Sequence, residues 1–204
     1  MKKILYFSAL AILLCFTPAM AREGVYLGGG LLYNIPQSSD FDYLDPAVGL
    51  DFKFGYNFGP IAVELNFMGS HHNETSPGFG TADFSGFSLD FRFFLSPYGD
   101  PNQFYLLTGL GSYYLNGFDP FATVATSSGA ALSPTGQFVD YWGYGFDLGA
   151  GLEHYLNPYV SLNFGLIYRF IWYDQAEIGG ISYSVNPTLN GDMLSIEFGV
   201  NYHF

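Results

Sequence analysis

Apolar residues recur at every second position along most of this chain, and that period dictates what it can fold into. Val48, Leu50, Phe52, Phe54, Tyr56 and Phe58 share one parity, against Gly49, Asp51, Lys53, Gly55 and Asn57 on the other. A strand sends successive side chains to opposite faces, so one face here is apolar and aromatic and the other small, polar or charged. The pattern returns over 61–67, 87–93, 142–152, 160–170 and 194–204. Stretches 24–34 and 103–115 also read as strands, although their facing is not settled by the pattern. That makes eight strands of about ten residues each. Short connections with Pro or Gly fall near 57–60, 96–103 and 154–158; long polar ones fall near 34–46, 69–83, 116–138 and 171–192. Four long loops at one end and three short turns at the other describe an up-and-down barrel with both termini at the short-turn end.

The first 21 residues have a different character. Lys2 and Lys3 precede an apolar run from Ile4 to Phe16, and Ala19-Met20-Ala21 is a small-x-small cleavage pattern. Such a run is short of the ~20 residues that span a bilayer as a helix, so 1–21 read as a cleaved secretory signal peptide and 22–204 as one domain. Cys15 is the sole cysteine and belongs to the leader. The exported chain then has no thiol for a disulfide, a thiolate metal site or a cysteine nucleophile.

Composition decides which face meets which solvent. Charged residues are 12% of the chain and aromatics 20%, against roughly 25% charged in a soluble domain. A soluble barrel turns its apolar face inward and its polar face to water. Here the apolar face is almost uninterrupted, while the opposite face is thick with Gly. The charges lie on that Gly-rich face or in loops, and aromatics such as Tyr56, Trp142, Phe170, Trp172 and Tyr202 crowd the strand ends. Those are the marks of an interfacial girdle. The fold expected is therefore an all-β, eight-stranded antiparallel up-and-down transmembrane β-barrel with a polar interior and a lipid-facing apolar exterior. Eighteen acids against six bases give a net charge of −12, which becomes −14 once Lys2 and Lys3 are removed. That balance argues against nucleic acid as a partner.

The chain ends on Phe198, Val200, Tyr202 and Phe204 in alternation. With the leader, this terminal strand resembles the C-terminal assembly signal of bacterial outer-membrane barrels. The chain 22–204 thus resembles the small eight-stranded outer-membrane proteins of the OmpA/OmpX/OmpW type, barrel domain only. The resemblance implies export through the periplasm to the outer membrane. It also implies a monomer among outer-membrane lipid and lipopolysaccharide, engagement of the barrel-assembly machinery through the terminal strand, and an extracellular ligand at the long loops.

Parity also nominates an interior network. A two-residue loop at Phe58-Gly59 would set Lys53 opposite Glu64 and Asp51 opposite Asn66, all on the inward parity. Arg92 falls at a similar height. A Lys53–Glu64–Arg92 ladder joined by Asp90 and Glu197 is the expectation, either as structural pairing or as a gate, because buried charges must be paired. By the same parity Asp51, Glu64, Asp90, Asp147, Glu153 and Glu197 point inward against Lys53, Arg92 and Arg169. Eight strands enclose a space that side chains can fill, so no open pore is expected.

Other candidates carry less. Gly143-Tyr144-Gly145 with Gly149 and Gly151 lacks dinucleotide spacing and fits inward strand glycines. Asp40, Asp42 and Asp45 lack the Gly and distal Glu of an EF-hand loop. His71 and His72 with Glu74 project in different directions. No cofactor or metal site is expected. Some small barrels of this membrane modify lipid A with a Ser–His pair at the outer rim, for which Ser70 or Ser76 with His71 or His72 would have to serve. The leading expectation is a non-enzymatic barrel acting structurally or through its outer loops. Passage of small hydrophobic molecules, with Leu32, Met68 and Ile167 as apolar lining, is the alternative, and lipid A modification the third.

Overall fold

The computed structural model describes residues 23–75, 80–119 and 137–204. The leader, Arg22 and Ser76 lie outside these. Nine strands form one antiparallel sheet: β1 (Gly24–Pro36), β2 (Ala47–Asn57), β3 (Ile61–Asn73), β4 (Thr81–Phe94), β5 (Asn102–Asp119), β6 (Gln137–Asn157), β7 (Val160–Ile178), β8 (Ile181–Asn190) and β9 (Met193–His203). The sheet runs β6-β5-β4-β3-β2-β1-β9-β7, and β6 also pairs with β7, which closes a ring of eight. The ninth strand, β8, lies outside the ring and extends the outer part of β7 as a hairpin. Closure leaves no backbone edge facing lipid, the condition for strands to cross a bilayer.

Strand facing follows the alternation. Val48, Leu50, Phe52, Phe54 and Tyr56 are exposed on the outer wall, while Asp51, Lys53 and Asn57 are buried inside. β5 explains why its facing was illegible. Its inward residues include Tyr105, Leu107, Tyr113 and Leu115 and its outward ones Phe104, Leu106 and Leu110, so both faces are apolar. The strands are also longer than the expected ten residues. β5, β6 and β7 run to 18, 21 and 19 residues, turning much of what reads as loop into ladder above the membrane.

One register differs from the sequence reading. The first short turn is centred on Gly59-Pro60, with Phe58 N donating to Ile61 O at 2.8 Å. Gly59 takes a φ of +95°, a conformation glycine adopts without strain, and Pro60 has no N–H to give to a ladder. The register moves by two residues, so parity survives but partners change: Lys53 faces Asn66, and Glu64 faces Gly55.

The inward glycines make room for tyrosine rings. A Cβ on Gly55 would lie 2.3 Å from Tyr26 Cζ, and one on Gly151 2.3 Å from the Tyr105 ring. Tyr113 lies in the same way over Gly86, Gly111 and Gly145. The Gly143-Tyr144-Gly145 stretch belongs to this packing. A Gly55→Ala substitution should therefore destabilise the barrel by about 1–3 kcal/mol, the usual cost of overpacking. Gly69→Ala, whose Cβ would meet nothing closer than 3.5 Å, should be near neutral. Urea titration of the heat-modifiable folded band on gels compares the two.

Candidate functional site

The lumen has two tiers. The tier nearer the short turns is charged. All six inward acids and all three inward bases named from parity are buried. Lys53 Nζ lies 2.6 Å from Glu197 Oε2 and 3.2 Å from Asp51 Oδ2. Arg169 holds the other oxygen of Glu197 at 3.2 Å and stands 3.7 Å from Asp147. Arg92 donates to Glu64 at 2.9 Å, and Tyr26 OH donates to the same carboxylate at 2.7 Å. The Arg92 guanidinium also sits 4.7 Å above the Tyr105 ring.

The structure thus brings Glu64 to Arg92 and Lys53 to Glu197, but it does not bring Lys53 to Glu64. The two-residue register shift moves Glu64 toward the short-turn end and out of reach of that lysine. Asp90 sits beside Glu64 across the β3–β4 ladder and makes no ion pair among the described residues. Arg169 and Asp147, which the ladder expectation left out, complete the Lys53–Glu197 half.

A further cluster was missed. Glu153 receives Ser161 Oγ at 2.5 Å, Asn201 Nδ2 at 2.8 Å and His203 Nε2 at 3.2 Å. Inward parity of Glu153 and His203 was the available signal, but their pairing needs the β6–β7–β9 register.

The outer tier is apolar. Leu32, Met68, Phe84, Tyr113, Leu115, Val139, Tyr141, Ile171, Tyr173 and Met193 form its wall. The first long loop fills it. Its short 3-10 turn, Ser39–Phe41, puts Phe41 against Tyr141 and Tyr173, with ring centroids 5.7 and 5.4 Å away, and Leu44 packs in the same cluster. On one side Ser38 Oγ donates to Asn190 O, and Asp40 accepts from Asn190 N at 2.8 Å. On the other, Asp45 N donates to Asn73 O at 2.8 Å, and His72 Nδ1 lies 2.8 Å from Asp45 O. A carbonyl only accepts, so Nδ1 carries the proton and His72 Nε2 is left to accept.

That Nε2 is 2.8 Å from Ser70 Oγ, within the distance a Ser–His dyad requires. Ser161 and His203 make a second pair at 3.0 Å near the short turns. Ser70 is on the inward parity, buried, and receives Asn34 Nδ2 at 2.9 Å. The nearby groove of about 460 Å³ is bordered by Val48, Leu50, Gly69, Ser70 and His71. It is open to the outside, whereas the Ser70 hydroxyl is held inside by Asn34 and His72. His71 points outward to Asp83 at 2.6 Å, so the two adjacent histidines serve opposite faces. Among the described residues, no three His, Cys, Asp or Glu side chains are grouped to hold a metal. Asp40 is spent on the Asn190 backbone.

The outer wall is a continuous apolar coat. Phe198, Val200, Tyr202 and Phe204 stand outward on it, on or beside the strand that joins β1 to β7. Residues 7–204 match the family described as outer membrane protein beta-barrel domain. The chain belongs to that family. This outer-membrane barrel is similar in fold to Neisserial surface protein A, with 15% identity over 89% of this chain and 97% of that one at a TM-score of 0.61. It is also similar to OprG of Pseudomonas aeruginosa, with 17% identity over 92% and 98% and a TM-score of 0.56. Ail of Yersinia pestis, solved with the heparin analogue sucrose octasulfate, is 16% identical over 90% and 100% at 0.53. Comparison with curated proteins finds no match. The barrel resides in the bacterial outer membrane, with lipid around its apolar wall.

The charged tier predicts a specific asymmetry. Arg92→Met strands Glu64 without its cation and should cost about 3–5 kcal/mol, whereas Arg92→Met with Glu64→Leu should recover most of it. Urea midpoints of the folded band distinguish the two variants.

Proposed function

We propose that this barrel is a non-enzymatic outer-membrane protein that acts through its outer face and conducts nothing through its lumen. The observation that carries this reading is the double closure of the interior: a tier of buried, largely ion-paired charges below, and an apolar tier filled by Phe41 and Leu44 above. The outer face is built out instead. At ~3.3 Å per residue and a tilt of ~40°, a 21-residue strand rises about 50 Å, against a lipid band of ~25 Å. β5, β6, β7 and β8 therefore form a tall sheet on one side of the mouth, beyond the membrane.

The charge of that face is one-sided. From Glu23 onward the only Lys and Arg residues are Lys53, Arg92 and Arg169, and all three are buried. Asp42, Asp83, Asp140, Asp174 and Glu177 face outward or flank the mouth with no lysine or arginine among them, and only His71 stands against one of them, Asp83. Complementarity then favours a cationic partner. The inward-held hydroxyl of Ser70 supports a non-enzymatic role. Planar-bilayer recording of the purified barrel should show no stable conductance; large, steady steps would overturn the closed-lumen reading.

A second reading has one observation behind it. The apolar outer tier is the lining that passage of a small hydrophobic molecule would need, and Leu32 and Met68 belong to it, whereas Ile167 packs inside with Tyr105 and Leu107. The first loop would have to lift. Cross-linking Ser38→Cys to Asn190→Cys tests this in a chain with no other cysteine past Cys15. Passage through the mouth should fall several-fold when the link is closed and return on reduction. Uptake of a hydrophobic dye into vesicles that ignores the link would remove this route.

A further inference from the structure

The charge tier does not balance. Six buried carboxylates face three buried bases, and His203, placed 3.2 Å from Glu153, can offset at most one of the surplus. The bases are committed: Lys53 to Glu197 and Asp51, Arg92 to Glu64 and, at 3.9 Å, Glu153, and Arg169 to Glu197 and Asp147. An uncompensated buried charge costs several kcal/mol even after relaxation, so the surplus cannot stand alone.

The surplus has a location. Asp90 is fully buried, and Ser88 Oγ donates to its Oδ2 at 3.0 Å. Its Oδ1 has no hydrogen-bond partner. Its ladder neighbours are Glu64 on β3 and Gly109 on β5, and Asp147 flanks Gly109 from the far side on β6. Gly109 leaves open the space its side chain would take; a Cβ there would lie 1.9 Å from Asp90 Oδ1. Asp147 Oδ1 accepts from Tyr113 OH at 2.6 Å, and its Oδ2 has no hydrogen-bond donor.

An independent side chain points to the same place. Asn66 is fully buried, its ladder partner is Ser88, and neither its Oδ1 nor its Nδ2 has a hydrogen-bond partner. A buried amide with both ends unsatisfied is destabilising, because each group gave up its water without gaining a partner. Asp90 Oδ1, Asp147 Oδ2 and both ends of the Asn66 amide, on β4, β6 and β3, thus lack a hydrogen-bond partner on neighbouring rungs around Gly109, with Arg169 Nε 3.7 Å from Asp147 Oδ2.

We propose that Asp90, Asp147 and Asn66 form a binding site for a monovalent alkali cation inside the barrel. Carboxylate and amide oxygens are hard ligands and select hard cations. Asp147 already faces Arg169, which makes a single charge the better match, and the acids among the described residues do not form the group of three that a divalent ion would use. The cation supplies the positive charge that the sequence withholds, on the side of the lumen that Lys53 does not serve. It is a constituent of the folded interior and stabilises the barrel by mass action.

The test compares unfolding of the detergent-solubilised full-length mature barrel in sodium, potassium and choline chloride at equal ionic strength. Sodium or potassium should raise the urea midpoint above that in choline, increasing with the logarithm of its concentration. Asp90→Asn should fold and lose the distinction between salts, whereas Asp51→Asn should keep it. Crystals grown in thallium(I) or rubidium should show an anomalous peak between Asp90, Asp147 and Asn66, a readout that needs no variant. The proposal is overturned by equal midpoints in all three salts, by stabilisation from calcium alone, or by a peak elsewhere in the lumen. It is equally overturned if Asp90→Asn raises stability in every salt, the sign of a proton held there instead.

Discussion

Everything in this molecule depends on the closure of one hydrogen-bonded ring. Lipid offers no partner to a backbone N–H or C=O, so eight strands must satisfy one another without an edge. Closure fixes the diameter, and an eight-stranded ring encloses a space only as wide as a few side chains. The interior is therefore a packing problem. Glycines on one strand accept tyrosine rings from another, as at Gly55 and Tyr26, and the same tyrosines turn their hydroxyls to the buried carboxylates. Tyr26 reaches Glu64 and Tyr113 reaches Asp147. Aromatic packing and charge satisfaction are thus joined in single residues.

Strand identity and facing were largely legible because both obey period two, and a parity rule survives errors of position. Lys53, Glu64, Asp90, Arg92 and Glu197 are all inside for that reason. Partners were less legible, since pairing depends on register and register on turn geometry. Placing the turn at Phe58-Gly59 rather than Gly59-Pro60 moved Lys53 from Asn66 to Glu64. The positive φ of Gly59 and the missing N–H of Pro60 were the local signals that favour the observed turn.

The outer tier was hidden for a different reason. Phe41 and Leu44 sit in a segment that reads as a polar loop, with Asp40, Asp42 and Asp45 around them. Their burial comes from contacts far away in sequence, with Tyr141, Tyr173 and Asn190. No periodicity within the loop announces that. The Ser70–His72 contact was hidden in the same way: the pair is close in sequence, but His72 is oriented by Asp45, 27 residues away. The long β5–β7 ladder above the membrane was masked by small and polar residues that composition assigns to loops.

The placement of the basic residues has a consequence for the intact cell. Trypsin cleaves after lysine and arginine, and from Glu23 onward its three possible sites lie within β2, β4 and β7, with their side chains inside the ring. None of the outer loops offers one. A protease of that specificity finds nothing to cut on the folded barrel, and amine-directed reagents find no lysine outside. The surface that meets the environment is thus invisible to two of the commonest ways by which an exposed protein is chemically marked or destroyed.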